Sequence, residues 1–324
     1  MRKQELLSLN GVTLQYSEKL RDFSIRKKPR YMTAVDNLNL IVYKGESLGL
    51  VGESGCGKSS TGKMILRLAQ PNSGTITFAG QDIFSPAMKD NPMYYTRVQM
   101  IFQDPYSSLD PRFKVGRTIM EPMTLWEIGT PEERRARALE LMEVVGLKEE
   151  HFDRYPFEFS GGQRQRIGIA RALCLNPELI VCDEPVSALD VSIQAQILNL
   201  MQDLQQKYNL TYLFISHNLS VVKHFCNRIA VMYMGQLVEM ADNEELFRNP
   251  KHPYTVALLS AVLEPDPTVK MKRNLIQGEL PSPFNLPPGC KFQTRCPYVM
   301  DICREKDPGY YGENASHIVK CHLR

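Results

Sequence analysis

A chain of 324 residues with a formal net charge of +3, 43% hydrophobic and 23% charged residues has an ordinary globular composition, long enough for one large core and one smaller unit. The charge is too small to argue for a nucleic-acid partner. No apolar run approaches the ~18–20 residues that span a bilayer, and Met1–Leu6 lacks the apolar stretch of a signal peptide, so the expectation is a cytoplasmic protein that reaches a membrane only by docking onto something that spans it.

Leu6–Tyr16 alternates weakly and reads as a strand. A basic stretch follows, with Lys19, Arg21, Arg26, Lys27, Lys28 and Arg30, the pattern of a solvated loop between strands. Leu38, Leu40 and Val42 alternate again before a turn at Lys44-Gly45. Ser47–Val51 is a short apolar strand that runs into a glycine-rich loop, and Lys58–Leu68 is a helix closed by Pro71-Asn72-Ser73-Gly74. Thr75–Ala79 and Arg97–Phe102 read as strands. Thr130-Pro131-Glu132-Glu133 is a helix start, and Gly146 stands where that helix should end, because a hydroxyl cap, an early proline and first-turn acids suit the positive end while glycine suits the exit. The span 104–170 is therefore mostly helical. Leu179–Cys182 and Thr211–Ile215 are apolar runs suited to buried parallel strands, with a helix Ser192–Lys207 between them, and Arg228–Met234 and Gln236–Met240 form a hairpin around Gly235. Prolines dominate Glu264–Gly289, a connector composition. The expected division is residues 1–263 as one α/β domain and 264–324 as linker and cysteine-rich extension.

Three segments carry chemistry. Gly52, Glu53, Ser54, Gly55, Cys56, Gly57, Lys58 and Ser59, with Ser60 behind them, fit the phosphate-loop pattern G-x-x-x-x-G-K-[ST]: glycines let backbone N–H groups approach phosphate, Lys58 reaches the β- and γ-phosphates, and the Ser59 hydroxyl ligates Mg²⁺. Asp183 ends an apolar strand, where an acid can hold Mg²⁺ through water, and Glu184 follows as the group to polarise the attacking water. Gln103 and His217 each follow a strand, placed to touch Mg²⁺ and the lytic water, and the γ-phosphate. Ser160, Gly161, Gly162 and Gln163 open another helix, a second anion-binding helix end without a second lysine loop. The economical reading is head-to-tail dimerisation, each ATP held between one chain's phosphate loop and the other's Ser-Gly-Gly-Gln.

With these motifs the chain resembles the ATP-binding cassette (ABC) ATPases over about residues 5–260. The resemblance implies a nucleotide-binding domain with a RecA-like parallel-sheet core, an antiparallel β subdomain and a helical signature subdomain. It makes Gln103 the Q-loop, Phe159–Gln163 the signature, Ser187-Ala188-Leu189-Asp190 the D-loop and His217 the switch histidine. It also implies an aromatic ring on adenine, Tyr16 or alternatively Tyr31. Phe159 replaces the family's usual leucine, away from the phosphate-contacting serine and glycines.

A narrower similarity, carried by Gly52–Ser59, Phe102–Arg112, Phe157–Leu173 and the terminal cysteines, is to the ATPase subunits of oligopeptide, dipeptide and nickel importers. It implies peptide import driven by ATP, a second similar ATPase subunit, two transmembrane permease subunits, an extracellular binding protein, and a peripheral place on the cytoplasmic face of the membrane. Rival readings are a soluble ABC ATPase without a transport role and an importer of nickel or oligosaccharides. A second cassette and a long coiled-coil insertion, marks of the soluble types, are both missing from the sequence.

Cys290, Cys296, Cys303 and Cys321 crowd the C-terminal end with spacing C-x₅-C-x₆-C-x₁₇-C. Zinc usually takes tighter pairs, four thiolates suit a [4Fe–4S] cluster, and free or disulfide-bonded thiols are the plain alternative. The importer resemblance favours iron–sulfur.

Overall fold

The computed structural model describes residues 4–18, 30–88, 91–260, 278–312 and 317–324. The boundary expected at 263/264 and most of the basic stretch fall outside the described residues. By contacts the chain forms two compact units, one of Met1–Gln4, Val42–Ser47 and Ser85–Ile215, the other of Glu5–Ile41, Leu48–Phe84 and Ser216–Arg324.

In the first unit the strands Val98–Ile101, Leu179–Asp183 and Thr211–Ser216 pair in parallel, with Val98 opposite Leu179 and Leu179 opposite Thr211. The last two are buried almost throughout, which is why they read as unbroken apolar runs rather than alternating ones. The helices Val115–Leu125, Pro131–Val144 and Gly161–Leu173 pack on one another. Pro131–Val144 begins as expected: the Thr130 hydroxyl accepts the Glu133 N–H at 3.3 Å while Glu133 accepts the Thr130 N–H at 2.7 Å. It ends with Gly146 at φ 75°, where the Gly146 and Leu147 N–H groups return to the Glu143 and Met142 carbonyls at 2.9 and 2.7 Å, a closing pattern that favours glycine. The expected strand Arg97–Phe102 is shorter, Val98–Ile101. Arg97 instead ends a small helix, Pro92–Arg97, which Asn91 caps by accepting the Met93 N–H.

In the second unit an antiparallel sheet runs in the order Arg30–Tyr43, Glu5–Glu18, Ser73–Phe78, Gln81–Asp82. The weak alternation of the first strand has a cause. Its inward positions switch from Leu7 and Leu9 to Val12 and Leu14 across a register shift between Asn10 and Thr13, and a bulge reverses the phase of a period-2 pattern. Ser47–Val51 lies parallel to Arg228–Tyr233, which turns back antiparallel into Gln236–Asp242 through Met234 at φ 45° and Gly235 at φ 83°. Two successive positive φ values match the twist of a tight hairpin. The tail joins this sheet: His317–Val319 pairs antiparallel with Gln236–Asp242. The helix expected over Lys58–Leu68 stops at Ile65. Arg67 adopts φ 57°, and Arg67 and Leu68 donate to the Met64 and Lys63 carbonyls at 3.0 and 2.8 Å. This is a glycine-type ending made by arginine, at a backbone cost of roughly 1–2 kcal/mol.

Candidate active site

The phosphate loop is built from backbone that side chains would spoil. Gly57 has φ 106°, and a Cβ there would stand 2.3 Å from the Ala34 carbonyl oxygen; one on Gly52 would stand 2.2 Å from that of Met232. Lys58 is buried and curls into the loop, donating to the Gly52 and Glu53 carbonyls at 2.8 and 3.0 Å. The helix it opens has glycine as its N-cap and no side-chain cap, so no protein acceptor from the cap competes at its positive end. Cys56 is buried beside Lys58, and burial raises its thiol above the usual range despite that amine. Ser59 and Ser60 lie in the first turn of the helix. Tyr254 is the residue that sequence reasoning missed: its hydroxyl accepts the Glu53 N–H at 2.9 Å. It sits at the start of a late helix, Pro253–Ser260, and no motif marks it.

His217 follows its strand as expected and is exposed. Tyr16 is half-buried on the strand Glu5–Glu18, and Tyr31 is 53% exposed at the start of Arg30–Tyr43.

The other chemical groups belong to the first unit. Asp183 closes the strand Leu179–Asp183 and is half-buried. Glu184 comes next at φ 48°, a left-handed conformation costly for a residue with a long side chain and characteristic of functional sites. Its N–H is held by the Ile215 carbonyl at 2.9 Å, and its carboxylate accepts the Gln103 amide at 3.0 Å. The structure thus brings Gln103 and Glu184 together across 81 residues of chain.

Ser160 caps the helix Gly161–Leu173. Its hydroxyl accepts the Gln163 N–H at 3.4 Å, and Gln163 accepts the Ser160 N–H at 3.1 Å. Gly162 has a packing role besides any ligand role, since a Cβ there would stand 2.5 Å from Ile193 Cγ2. Ile193 belongs to Val191–Tyr208, the helix that Asp190 caps by accepting the Ile193 N–H at 3.1 Å, a bond that holds the Asp190 carboxyl below the usual range. Two arginines of the signature helix, which no motif singles out, hold the segment after Gln103. The Arg164 guanidinium lies 3.7 Å over the Tyr106 ring, and Arg171 donates to the Ser108 carbonyl at 3.1 Å and to Glu121 at 2.8 Å. That segment lines a groove of about 550 Å³ bounded by Tyr106, Asp110, Phe113, Glu121 and Arg171.

Among the described residues no three of His, Cys, Asp and Glu gather as a group that could hold a metal ion. The structure forms no disulfide among its eight cysteines. Burial raises the thiols of Cys290, to about 11, and of Cys296 and Cys321. The neighbouring Cys303, Cys321 and Cys296 push Cys290 in the same direction.

The sequence family described as ABC transporter matches residues 35–187, and that described as oligopeptide/dipeptide transporter, C-terminal region, matches 238–303. The oligopeptide transport ATP-binding protein AppF of Bacillus subtilis is 51% identical over 99% of this chain and 98% of its own length. The chain belongs to the ABC transporter ATP-binding family. The dipeptide transport ATP-binding protein DppF of Escherichia coli is 47% identical over 86% of this chain and 84% of its own. Among solved structures, a dimeric ATP-binding cassette in a post-hydrolysis state, bound to ADP and Pi, is similar with a TM-score of 0.62 and 27% identity, over 74% of this chain and 99% of that one. This ABC protein binds ATP and hydrolyses it, and its fold is the ABC nucleotide-binding fold. No helix among the described residues is long and apolar enough to cross a membrane.

Proposed function

We propose that the chain is the ATP-hydrolysing subunit of a peptide importer. The reading rests on full-length likeness to proteins named for oligopeptide and dipeptide transport, with the likeness running into the tail. Lys58 exchanges its carbonyl partners for the β- and γ-phosphates. Ser59, Gln103 and Asp183 offer oxygen donors, the ligand class that Mg²⁺ takes, and the ion when bound neutralises phosphate charge. Glu184 polarises the attacking water, His217 meets the γ-phosphate, and Tyr16 stacks on adenine. Ser160–Gln163 of a second, similar ATPase subunit complete the site, trading their mutual cap bonds for phosphate contacts.

The complex includes two permease subunits, one of which docks in the groove behind Gln103 of this chain, where Arg164 and Arg171 tie the signature helix to the docking segment. An extracellular binding protein delivers the peptide, and the chain works on the cytoplasmic face of the membrane. The domain boundary lies at 263/264. Cys290, Cys296, Cys303 and Cys321 would hold an iron–sulfur cluster, for which thiolates are the usual ligands.

The deciding experiment is purification of the tagged chain from solubilised membranes. Two multi-span subunits and ATPase activity raised by a peptide-loaded binding protein are expected. Recovery with ribosomes or DNA instead, or activity indifferent to the binding protein, refutes the reading.

A further inference from the structure

The C-terminal extension reaches the phosphate loop. Between Cys290 and Cys296 the chain presents Phe292 and Arg295. Phe292 is buried and packs its ring against Tyr233 and Tyr254, with centroids 5.2 and 5.5 Å apart. Tyr254 carries the hydroxyl that accepts the Glu53 N–H. Arg295, its side chain 9% exposed, meets the Glu53 carboxylate with both nitrogens, Nη1 to Oε2 at 2.8 Å and Nη2 to Oε1 at 3.2 Å. Its guanidinium lies 5.9 Å from the Tyr233 ring centre. A single loop residue is thus gripped at its amide by Tyr254 and at its carboxylate by the tail.

The chemistry of that loop makes the carboxylate a liability. Glu53 follows Gly52 in the loop, and its own carbonyl is a partner of Lys58. Free, its charge would repel a polyanion and compete for the Lys58 amine. A planar guanidinium bonded at two points both neutralises the carboxylate and fixes its direction, which lysine cannot do.

We propose that Arg295 is a positioning residue for the nucleotide loop: by holding and neutralising Glu53 it keeps that carboxylate away from the triphosphate, so the extension sets ATP affinity. The inference rests on Gly52–Ser59 being the phosphate loop. It deepens that reading by giving the tail a task at the nucleotide, through a contact of 242 residues' separation.

The test is ATP kinetics of the assembled transporter, together with binding of a fluorescent ATP analogue to the full-length chain. Arg295→Ala is expected to raise the KM for ATP about tenfold with kcat within about twofold, the size of one lost charge-assisted contact. Arg295→Lys keeps the charge without the two-point contact and raises it about threefold. Adding Glu53→Gln to Arg295→Ala returns the KM to within about threefold of wild type, the non-additivity expected of a coupled pair. If Arg295→Ala fails to fold, the lysine variant carries the measurement. An unchanged KM in a folded Arg295 variant, or a double variant no better than Arg295→Ala, overturns the proposal. Lys58→Ala separates the two levels: loss of ATP binding there with no effect at Arg295 sinks this inference alone, and unimpaired binding in Lys58→Ala sinks the loop assignment itself.

Discussion

The phosphate loop and the signature segment are both glycine-bearing helix starts, yet their resting states differ. At Lys58–Ile65 the cap is Gly57, which brings no side-chain acceptor, and Lys58 satisfies itself on the loop's carbonyls. At Gly161–Leu173 the cap is Ser160, and its box with Gln163 is closed. Both are sites of positive potential. The first stands open and needs only an amine to turn. The second must give up cap bonds before it can take an anion, which suits a surface that engages nucleotide when a partner brings it. The long 3.4 Å bond from the Gln163 N–H to the Ser160 hydroxyl is the cheaper of the two to break.

The largest effect is expected where neither helix end is touched. Glu184→Gln should lower hydrolysis by about 10²–10³-fold and leave ATP binding intact, measured by phosphate release and equilibrium nucleotide binding, since in the proposed mechanism it removes the group that polarises water but keeps its shape. Normal turnover would remove Glu184 from the mechanism.

The comparison itself predicts a split. Lys58→Ala should weaken ATP binding to the isolated chain by about 100-fold, whereas Ser160→Ala should leave that binding within about twofold and lower only the hydrolysis of the assembled transporter; equal losses of binding in both variants would mean that the two helix ends work alike. Charge-assisted contacts to phosphate justify the first magnitude.

Stability offers a pH-dependent check within the second unit. His252 is buried, its Nδ1 accepting the Tyr254 N–H at 3.0 Å, and burial pushes its ring down to about 3. The unfolded chain, with an ordinary imidazole, binds the proton first on acidification. Stability attached to the neutral ring is therefore present above about pH 6.5 and lost as pH falls toward 3, by up to roughly 1.4 kcal/mol per pH unit from this group. Denaturant melts of wild type and His252→Gln should differ in slope across that window and run parallel above it.

The smallest effect sharpens the signature side. Gly162→Ala forces a methyl against Ile193 and should cost about 1–3 kcal/mol, lowering the melting temperature. Pairing it with Ile193→Val should recover part of the loss. An unchanged melt would leave Gly162 with a ligand role only.

Much of this was legible in the chain. The loop Gly52–Ser59, the paired acids Asp183-Glu184, Gln103 and the Ser160–Gln163 helix start are local patterns, and each falls where its flanking strand or helix was expected. Misreadings came from residues that do another residue's work. Arg67 ends a helix in a conformation usually left to glycine, and Arg97, expected to open a strand, instead closes a short helix that Asn91 caps. For the terminal cysteines, spacing counts thiols but cannot say how closely their sulfurs gather.

Local order along the chain therefore picked out the segments proposed to handle phosphate and water, since glycine freedom, helix-end potential and strand-terminal acids act over a handful of neighbouring residues. Tertiary structure alone decided their company: the Gln103 amide on Glu184, the arginines that grip the segment after Gln103, and the tail's Arg295 on Glu53. Such pairings join residues tens to hundreds of positions apart, and a guanidinium finds its carboxylate only after strands and tail have been laid beside one another by burial of apolar surface.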